Sequence, residues 1–398
     1  MRRWKDRIEQ DDVVHWANDG LLRAGHRADG TVELEVAPEL GEAMPGPGLE
    51  RLLAERTSQA LALTRANVRL SLAADPPADA WNGIRRGPPR GDGPSVSVVV
   101  PVGHHGTLGA LVRSLAPQLD ALSAGELIVS SDPETLAHTL PEVRPEERPR
   151  RFEVVEAGSE GNRATHLNHG IEQSSGELVV LLVDDFMPGP GFLAAHLAVH
   201  RAEPRPEVAA IGPALFPEHL RAEPFRRWLE DSGELFGCSF TSAEGPPERF
   251  WFCANTSLKR AFLLEGQLFD ERLNREAWDD HELGLRLFER GLEVVFAPAA
   301  AVVHDHPLDR DERRRVMRNA GEAAATFDSI YPRPHPFWSG TDPWDSVTEL
   351  RLRAALLRAR HRLRGREENL FEAFHAEMRS AFLEGYRSGL SGRAATAA

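Results

Sequence analysis

One short stretch constrains this chain more than any other: an apolar run of strand length that ends in two adjacent carboxylates. Leu178-Val179-Val180-Leu181-Leu182-Val183 is followed by Asp184-Asp185, and Phe186-Met187-Pro188-Gly189-Pro190-Gly191 then turns the chain away. A run with no polar face reads as a strand buried on both sides of a sheet. Such a strand needs layers above and below it. Ligands of open α/β sheets sit outside the carboxyl ends of the strands, where these aspartates fall. Neighbouring carboxylates repel each other unless a cation or an Arg neutralises them. A hard divalent metal carrying a phosphate on its far side would do so. The competing reading is that Asp184 and Asp185 merely open a turn.

The rest of the central region repeats the theme. Val96 to Val100, Glu126 to Ser130, Phe152 to Val155, Val208 to Gly212 and Glu293 to Phe296 read as further strands. Leu108 to Leu119 and a stretch ending at Ile171 read as helices between them. Alternating strands and helices predict a parallel sheet with right-handed crossovers. Residues 1–94 form an accessory segment in which Val32 to Val36 alternates like a strand and Leu49 to Leu63 reads as a helix. It closes on the linker Gly87-Pro88-Pro89-Arg90-Gly91-Asp92-Gly93-Pro94. The expected organisation is 1–94, 95–306 and a helical region over 307–398.

That last region opens with a capping box, Ser346 with Glu349. Val347, Leu350, Ala354 and Leu357 follow at helical spacing among Arg351, Arg353, Arg358, Arg360, Arg362 and Arg364. A second helix carries Phe371, Phe374, Met378 and Phe382 on one stripe. These helices read as packing on the central domain or on a sister subunit. A basic amphipathic helix can also lie on an anionic membrane surface.

Composition narrows the partners. The net charge of −14 argues against nucleic acid. Only Lys5 and Lys259 are lysine, so the basic residues are almost all Arg, which offers paired donors to phosphate. Cys238 and Cys253 form no CxxC pair, so neither a disulfide framework nor a Cys-ligated zinc is expected. No apolar run approaches the ~18–20 residues of a membrane span, and Met1 to Arg7 lacks a signal-peptide core. A cytoplasmic protein is expected, peripheral at the inner face of the membrane if the Arg-rich helix docks there.

Four features now line up in order: Val98-Val99-Val100-Pro101 with Ser114 to Gln118; Asp132 after the second strand; Gly161 to Ile171 leading into the Asp184-Asp185 strand; and Trp278-Asp279-Asp280 with His304-Asp305-His306 beyond it. Together they resemble the family 2 glycosyltransferases over about residues 95–306. The resemblance implies a GT-A fold, a Rossmann-like and mostly parallel sheet flanked by helices, with an N-terminal extension and a C-terminal helical region. It implies inverting sugar transfer from a nucleoside-diphosphate sugar, a UDP- or dTDP-sugar by the carboxylate at Asp132, to an acceptor hydroxyl. Carried residue by residue, it makes Asp280 the general base. It puts Pro101, Asp132, Arg163, Asn168 and Asp184 at the donor nucleotide, and Trp278 and Asp279 at the acceptor. It gives Asp185, His304 and the neighbouring His306 to Mn2+ or Mg2+.

Three positions depart from the family pattern. Gly103 stands where a Tyr is common, Val183 where the first Asp of Asp-x-Asp is common, and Ser131 in place of the first of an Asp pair. All three touch the donor nucleotide. They motivate a rival reading, a non-catalytic GT-A-like protein that binds a nucleotide or a partner. A nucleotidyltransferase would want a Gly-rich basic loop after the first strand, which Pro101 to Gly106 does not supply.

Overall fold

The computed structural model describes residues 94–103, 106–158, 162–232, 251–273, 278–297, 300–331 and 346–396, and three short strands before them. Those strands, β1 (Leu22–His26), β2 (Val32–Val36) and β3 (Val68–Leu72), form a sheet of their own. In it β2 lies antiparallel to β1 and parallel to β3. The strand expected at 32–36 is therefore present, whereas the helix read at 49–63 and the linker at 87–93 lie outside the described residues.

The central region is α/β. Its strands are β4 (Val96–Pro101), β5 (Gly125–Ser131), β6 (Phe152–Glu156), β7 (Leu178–Leu182), β8 (Phe186–Pro188), β9 (Val208–Ile211), β10 (Ala214–Leu215), β11 (Asn255–Lys259), β12 (Glu293–Phe296) and β13 (Val302–His304). Seven of them make one sheet in the order β12-β9-β11-β7-β4-β5-β6. All run parallel except β11, which is antiparallel to both neighbours. Every residue of β4, β7 and β9 is buried, as the unbroken apolar runs required.

The pleat sorts side chains by parity. Val96, Val98, Val100, Leu178, Val180 and Leu182 face one core with helices α1 (Leu108–Asp120) and, later in the chain, Phe192–Ala202. Val99, Ile128, Val179 and Leu181 face the other with the helices Arg163–Gln173 and Asp279–Glu289. We number these helices in chain order: α2 (Pro133–Thr139), α3 (Arg163–Gln173), α4 (Phe192–Ala202), α5 (Pro224–Asp231) and α6 (Asp279–Glu289). Fully burying each of these Val and Leu side chains is worth about 1.5–3 kcal/mol, so the sheet and its helices close as three layers.

β11 has no apolar signature, and its polar residues are satisfied internally. Asn255, Thr256 and Ser257 are fully buried. Asn255 donates to the Ala300 carbonyl at 2.8 Å, and Thr256 to the Ala210 carbonyl at 3.1 Å. Ser257 Oγ meets His196 Nδ1 at 2.8 Å and His200 Nε2 at 2.9 Å, both from α4. A second small sheet, β10-β13-β8, lies beside the carboxyl ends of the main one.

Beyond β13 the chain is helical: α7 (Arg310–Ile330), α8 (Val347–Arg364) and α9 (Glu367–Thr396). Ser346 caps α8 by accepting from the Glu349 N–H at 3.2 Å, and Gly365 ends it at φ 64°. α7 and α9 pack backbone to backbone: a Cβ at Gly321 would land on the Phe382 carbonyl, and one at Gly385 on the Arg318 carbonyl. No helix among the described residues is long and apolar enough to cross a membrane.

Candidate active site

Asp184 and Asp185 follow β7 at the carboxyl edge of the sheet and do different work. Asp184 is buried. Its Oδ2 accepts from the Gly103 N–H at 2.8 Å, and its carbonyl accepts from the Thr107 hydroxyl at 2.8 Å. It thereby ties the loop after β4, which begins at Pro101, to the end of β7. Asp185 turns toward β13. His304 pairs with Phe186 in the β13–β8 ladder, which brings His304 Nε2 to 3.0 Å from Asp185 Oδ2. Phe186 and Phe216 rings lie 5.4 Å and 5.3 Å from the His304 ring, and His306 stacks on it at 5.7 Å. His306 Nε2 meets Glu312 Oε1 at 3.1 Å.

This donor set can be tested against a divalent metal. Among the described residues no cluster of three or more His, Cys, Asp or Glu side chains is arranged to hold an ion. A carboxylate oxygen and an imidazole nitrogen in contact suit a metal that draws its other ligands from phosphate and water. They do not make a protein cage. The pair fits the first kind of site.

Asp280 lies at the other end, in the first turn of α6, where the helix N-terminus favours a negative charge. Its Oδ1 accepts from the His281 N–H at 2.8 Å and faces His281 Nδ1 at 2.9 Å. Burial resists charging either side chain. The His281 charge nevertheless holds Asp280 below the usual carboxylate range, and Asp280 lifts His281 above the usual imidazole value. Asp279, read above as an acceptor contact, is fully buried and ion-paired with Arg163, whose Nε lies 3.0 Å from Asp279 Oδ2. Burial opposes the Arg163 charge, but Asp279 raises the guanidinium well above its ordinary value. Arg163 is expected at the donor nucleotide; the edge of its guanidinium carrying Nε and Nη2 is spent on Asp279.

Trp278 precedes α6 at φ 73°, the one non-glycine residue with positive φ among the described residues. That region is strained for a bulky side chain, by about 1–3 kcal/mol. The indole holds it there. Its Nε1 donates to the Ala320 carbonyl of α7 at 2.9 Å, and the ring lies 5.7 Å from Phe327 and 6.3 Å from Phe382 of α9. The aromatic expected beside the acceptor is thus turned toward the C-terminal helices.

Asn168 and Asp132 are also engaged locally. Asn168 accepts from the Phe269 N–H at 2.9 Å and donates to the Phe269 carbonyl at 3.0 Å and Glu271 Oε1 at 2.8 Å, pinning the chain ahead of Trp278 to α3. Asp132 caps α2: its Oδ1 accepts from the Glu134 and Thr135 N–H groups at 3.0 Å each, and its Oδ2 from the Thr135 hydroxyl at 2.7 Å. The Thr135 bonds hold its carboxyl below the usual range.

Residues 94–319, more than half of the chain, match the family described as glycosyltransferase-like family 2. The chain belongs to that family. Its sheet and flanking helices are the GT-A arrangement expected of a member. The uncharacterized glycosyltransferase YfnE of Bacillus subtilis (strain 168) is 29% identical over 85 residues, which are 21% of this chain and 22% of that one. The match spans only about a fifth of that relative's length. A mannosyltransferase from Pyrobaculum calidifontis, in complex with GDP-Man and Mn2+, is similar with a TM-score of 0.47 and 15% identity. The match covers 75% of this chain and 88% of that one. The M. tuberculosis glucosyl-3-phosphoglycerate synthase is similar with a TM-score of 0.37 and 17% identity, over 61% of this chain and 83% of that one.

Within this family 2 frame, several contacts of the site carried no signal in the sequence. Gly103 and Thr107 hold Asp184 through backbone and hydroxyl groups that any turn contains. The Arg163–Asp279 pair joins residues more than a hundred positions apart. His281 follows Asp280 directly and was legible as part of the same helix start, although its contact depends on a rotamer. Trp278 gave no hint that its partner would be Ala320.

Proposed function

We propose that this protein transfers a sugar from a nucleoside-diphosphate sugar to an acceptor hydroxyl, with inversion at the anomeric carbon. The observation that carries the reading is the meeting of Asp185 with His304 inside the stretch that matches the family. Asp185 and His304 would hold Mn2+ or Mg2+ against the donor diphosphate, with His306 packed on His304. When bound, the metal supplies a Lewis acid for the departing diphosphate. Pro101 and the Gly103 loop tethered to Asp184 would border the nucleotide base, with Asp132 after the next strand accepting from a ring N–H of uracil or thymine. Arg163 and Asn168 act by fixing the base end of the site to α3.

Asp280 would take the proton of the acceptor hydroxyl as that oxygen attacks the anomeric carbon. The carbon–oxygen bond to the diphosphate breaks on the opposite face, and the nucleoside diphosphate leaves with the electron pair. A single displacement of this kind inverts the configuration. The ion-paired, low-pKa state of Asp280 keeps it ionised and ready to accept. We place the reaction in the cytoplasm, where nucleotide sugars are the ready donors.

A second reading, a non-catalytic nucleotide-binding member of the family, is favoured by one observation: Asp184, expected at the donor nucleotide, spends a carboxylate oxygen on Gly103. Thermal unfolding with a panel of nucleoside diphosphates, with and without Mn2+, is the first test. Ligand at about 100 times its Kd adds roughly 2.7 kcal/mol of stability. The expected result is a Mn2+-dependent shift with UDP or dTDP that Asp185→Ala abolishes, followed by product formation with the matching sugar donor. Binding without product for any sugar of the matching nucleotide supports the second reading. No shift with any nucleotide overturns both.

A further inference from the structure

α8 has two apolar faces, and only one is covered. Leu350 and Ala354 are buried among Ala324, Ala376, Phe382 and Leu383 of the neighbouring helices, and Leu357 on the same face is buried too. Leu352, Leu356 and Leu363 are 59%, 54% and 85% exposed. At about 100° per residue these three fall within roughly 40° of one another, on a line about 16 Å long. Exposed leucines standing singly need no explanation, but a row of them on one helix does.

Arginines flank the row. Arg351, Arg353 and Arg358 pair with Glu384, Glu372 and Glu377 of α9. Arg360, Arg362 and Arg364 are exposed, and no ion pair joins them to a described residue. They surround Leu363, the most exposed of the three leucines. A concentrated positive patch stands out on a chain whose net charge is −14.

We propose that this ridge docks on an anionic lipid bilayer. Leu352, Leu356 and Leu363 enter the boundary between headgroups and acyl chains, and Arg360, Arg362 and Arg364 meet lipid phosphates. A helix of this composition lies in the plane of the interface with its apolar face about 5–10 Å deep. A second copy is the poorer occupant. Two ridges packed antiparallel about their midpoint would set Arg360, Arg362 and Arg364 against Arg351 and Arg353, and like charges in contact disfavour that register. The inference does not depend on the sugar-transfer reading, since it concerns a surface rather than the catalytic residues.

The test is co-sedimentation of the full chain with vesicles of phosphatidylcholine alone or mixed with phosphatidylglycerol, at low and raised salt. Binding is expected only to the anionic vesicles and should weaken as salt rises. Leu352→Glu/Leu356→Glu/Leu363→Glu should abolish it. Arg360→Gln/Arg362→Gln/Arg364→Gln should lower affinity about fivefold per arginine near the surface. The single substitution Leu363→Ser, at the most exposed position, serves if the triple leucine variant does not fold. Equal binding to neutral vesicles, no binding by the wild type, or undiminished binding by folded variants overturns the proposal. So does a stable dimer in sedimentation velocity that the leucine variants dissociate, which would give the ridge to a second copy.

Discussion

Asp185 reaches His304 through strands that pair beside the sheet, whereas Asp280 reaches its position through a residue that leans on helices outside the sheet. At the first end, the β13–β8 register brings the two side chains together, and both strands belong to the stretch that matches the family. At the second, Trp278 adopts a left-handed backbone held by Ala320, Phe327 and Phe382, all three of which lie beyond that stretch. The lesson is that one site has two supports of different origin. The proposed donor end comes with the sheet, and the proposed base end is borrowed in part from the C-terminal helices. α7 and α9 can bear that load because their backbones touch at Gly321 and Gly385.

Substitutions that act on one end alone separate the two supports. The largest effect is expected from Asp280→Asn, which should lower kcat by about 10²–10⁴ while nucleotide binding with Mn2+ stays intact. Asp185→Ala should do the reverse to binding. Loss of nucleotide affinity in Asp280→Asn, seen by calorimetry, would mean the ends are not separable. Next, Arg163→Met leaves Asp279 charged and buried without its partner, which should destabilise the fold by about 3–5 kcal/mol in urea unfolding. A cost below about 1 kcal/mol would show that water reaches Asp279.

Acid should reveal the support under β11. Burial pushes His196 down to about 4 and, with the Lys259 charge nearby, His200 down to about 3. Both imidazoles are neutral in the folded protein, and the unfolded chain binds protons more readily. Their stabilising effect is therefore complete above about pH 6.5 and is lost as the pH falls toward 4 and 3. His196 alone should cost about 3 kcal/mol by pH 4. Denaturant midpoints that do not change between pH 7 and 4 would rule out this network as a source of stability.

Smaller effects test the proposed base directly. His281→Ala removes the opposite charge beside Asp280, so the Asp280 pKa should rise. The acid limb of the kcat/KM profile should then move up by about one pH unit. A profile that keeps its acid limb would assign that limb to another group. Trp278→Phe keeps an aromatic ring and loses the bond to Ala320, worth about 0.5–1.5 kcal/mol. Its kcat should fall a few-fold with KM for the donor unchanged. A change in donor KM instead would tie Trp278 to the wrong end of the site.

Much of this was legible in the sequence where apolar pattern decides structure. The runs at 96–100, 126–130 and 178–182 each became a buried strand, because a strand covered on both faces admits few polar residues. β11 was not legible. Asn255-Thr256-Ser257 reads as loop, and it is a central strand only because His196, His200, Ala210 and Ala300 supply partners from elsewhere in the chain. The Asp184-Asp185 pair announced a charged strand end, but not that one carboxylate would brace Gly103 and the other meet His304. Trp278 is the sharpest case. Its identity suggested a flat surface for a sugar, and its surroundings make it a strut, a difference set by tertiary contacts that lie more than forty residues downstream.

β11 also dictates an order of assembly. β9, whose four residues are all buried, has only β11 and β12 as neighbours, and both come later in the chain. On a ribosome, β4, β5, β6 and β7 can pair as they emerge. β9 cannot begin to pair until Lys259 has completed β11, about 48 residues and roughly 2–10 s further on at 5–20 residues/s. During that interval an apolar strand and the open edge of β7 are both without partners, which makes nascent chains of this length the stage most exposed to aggregation and to chaperones.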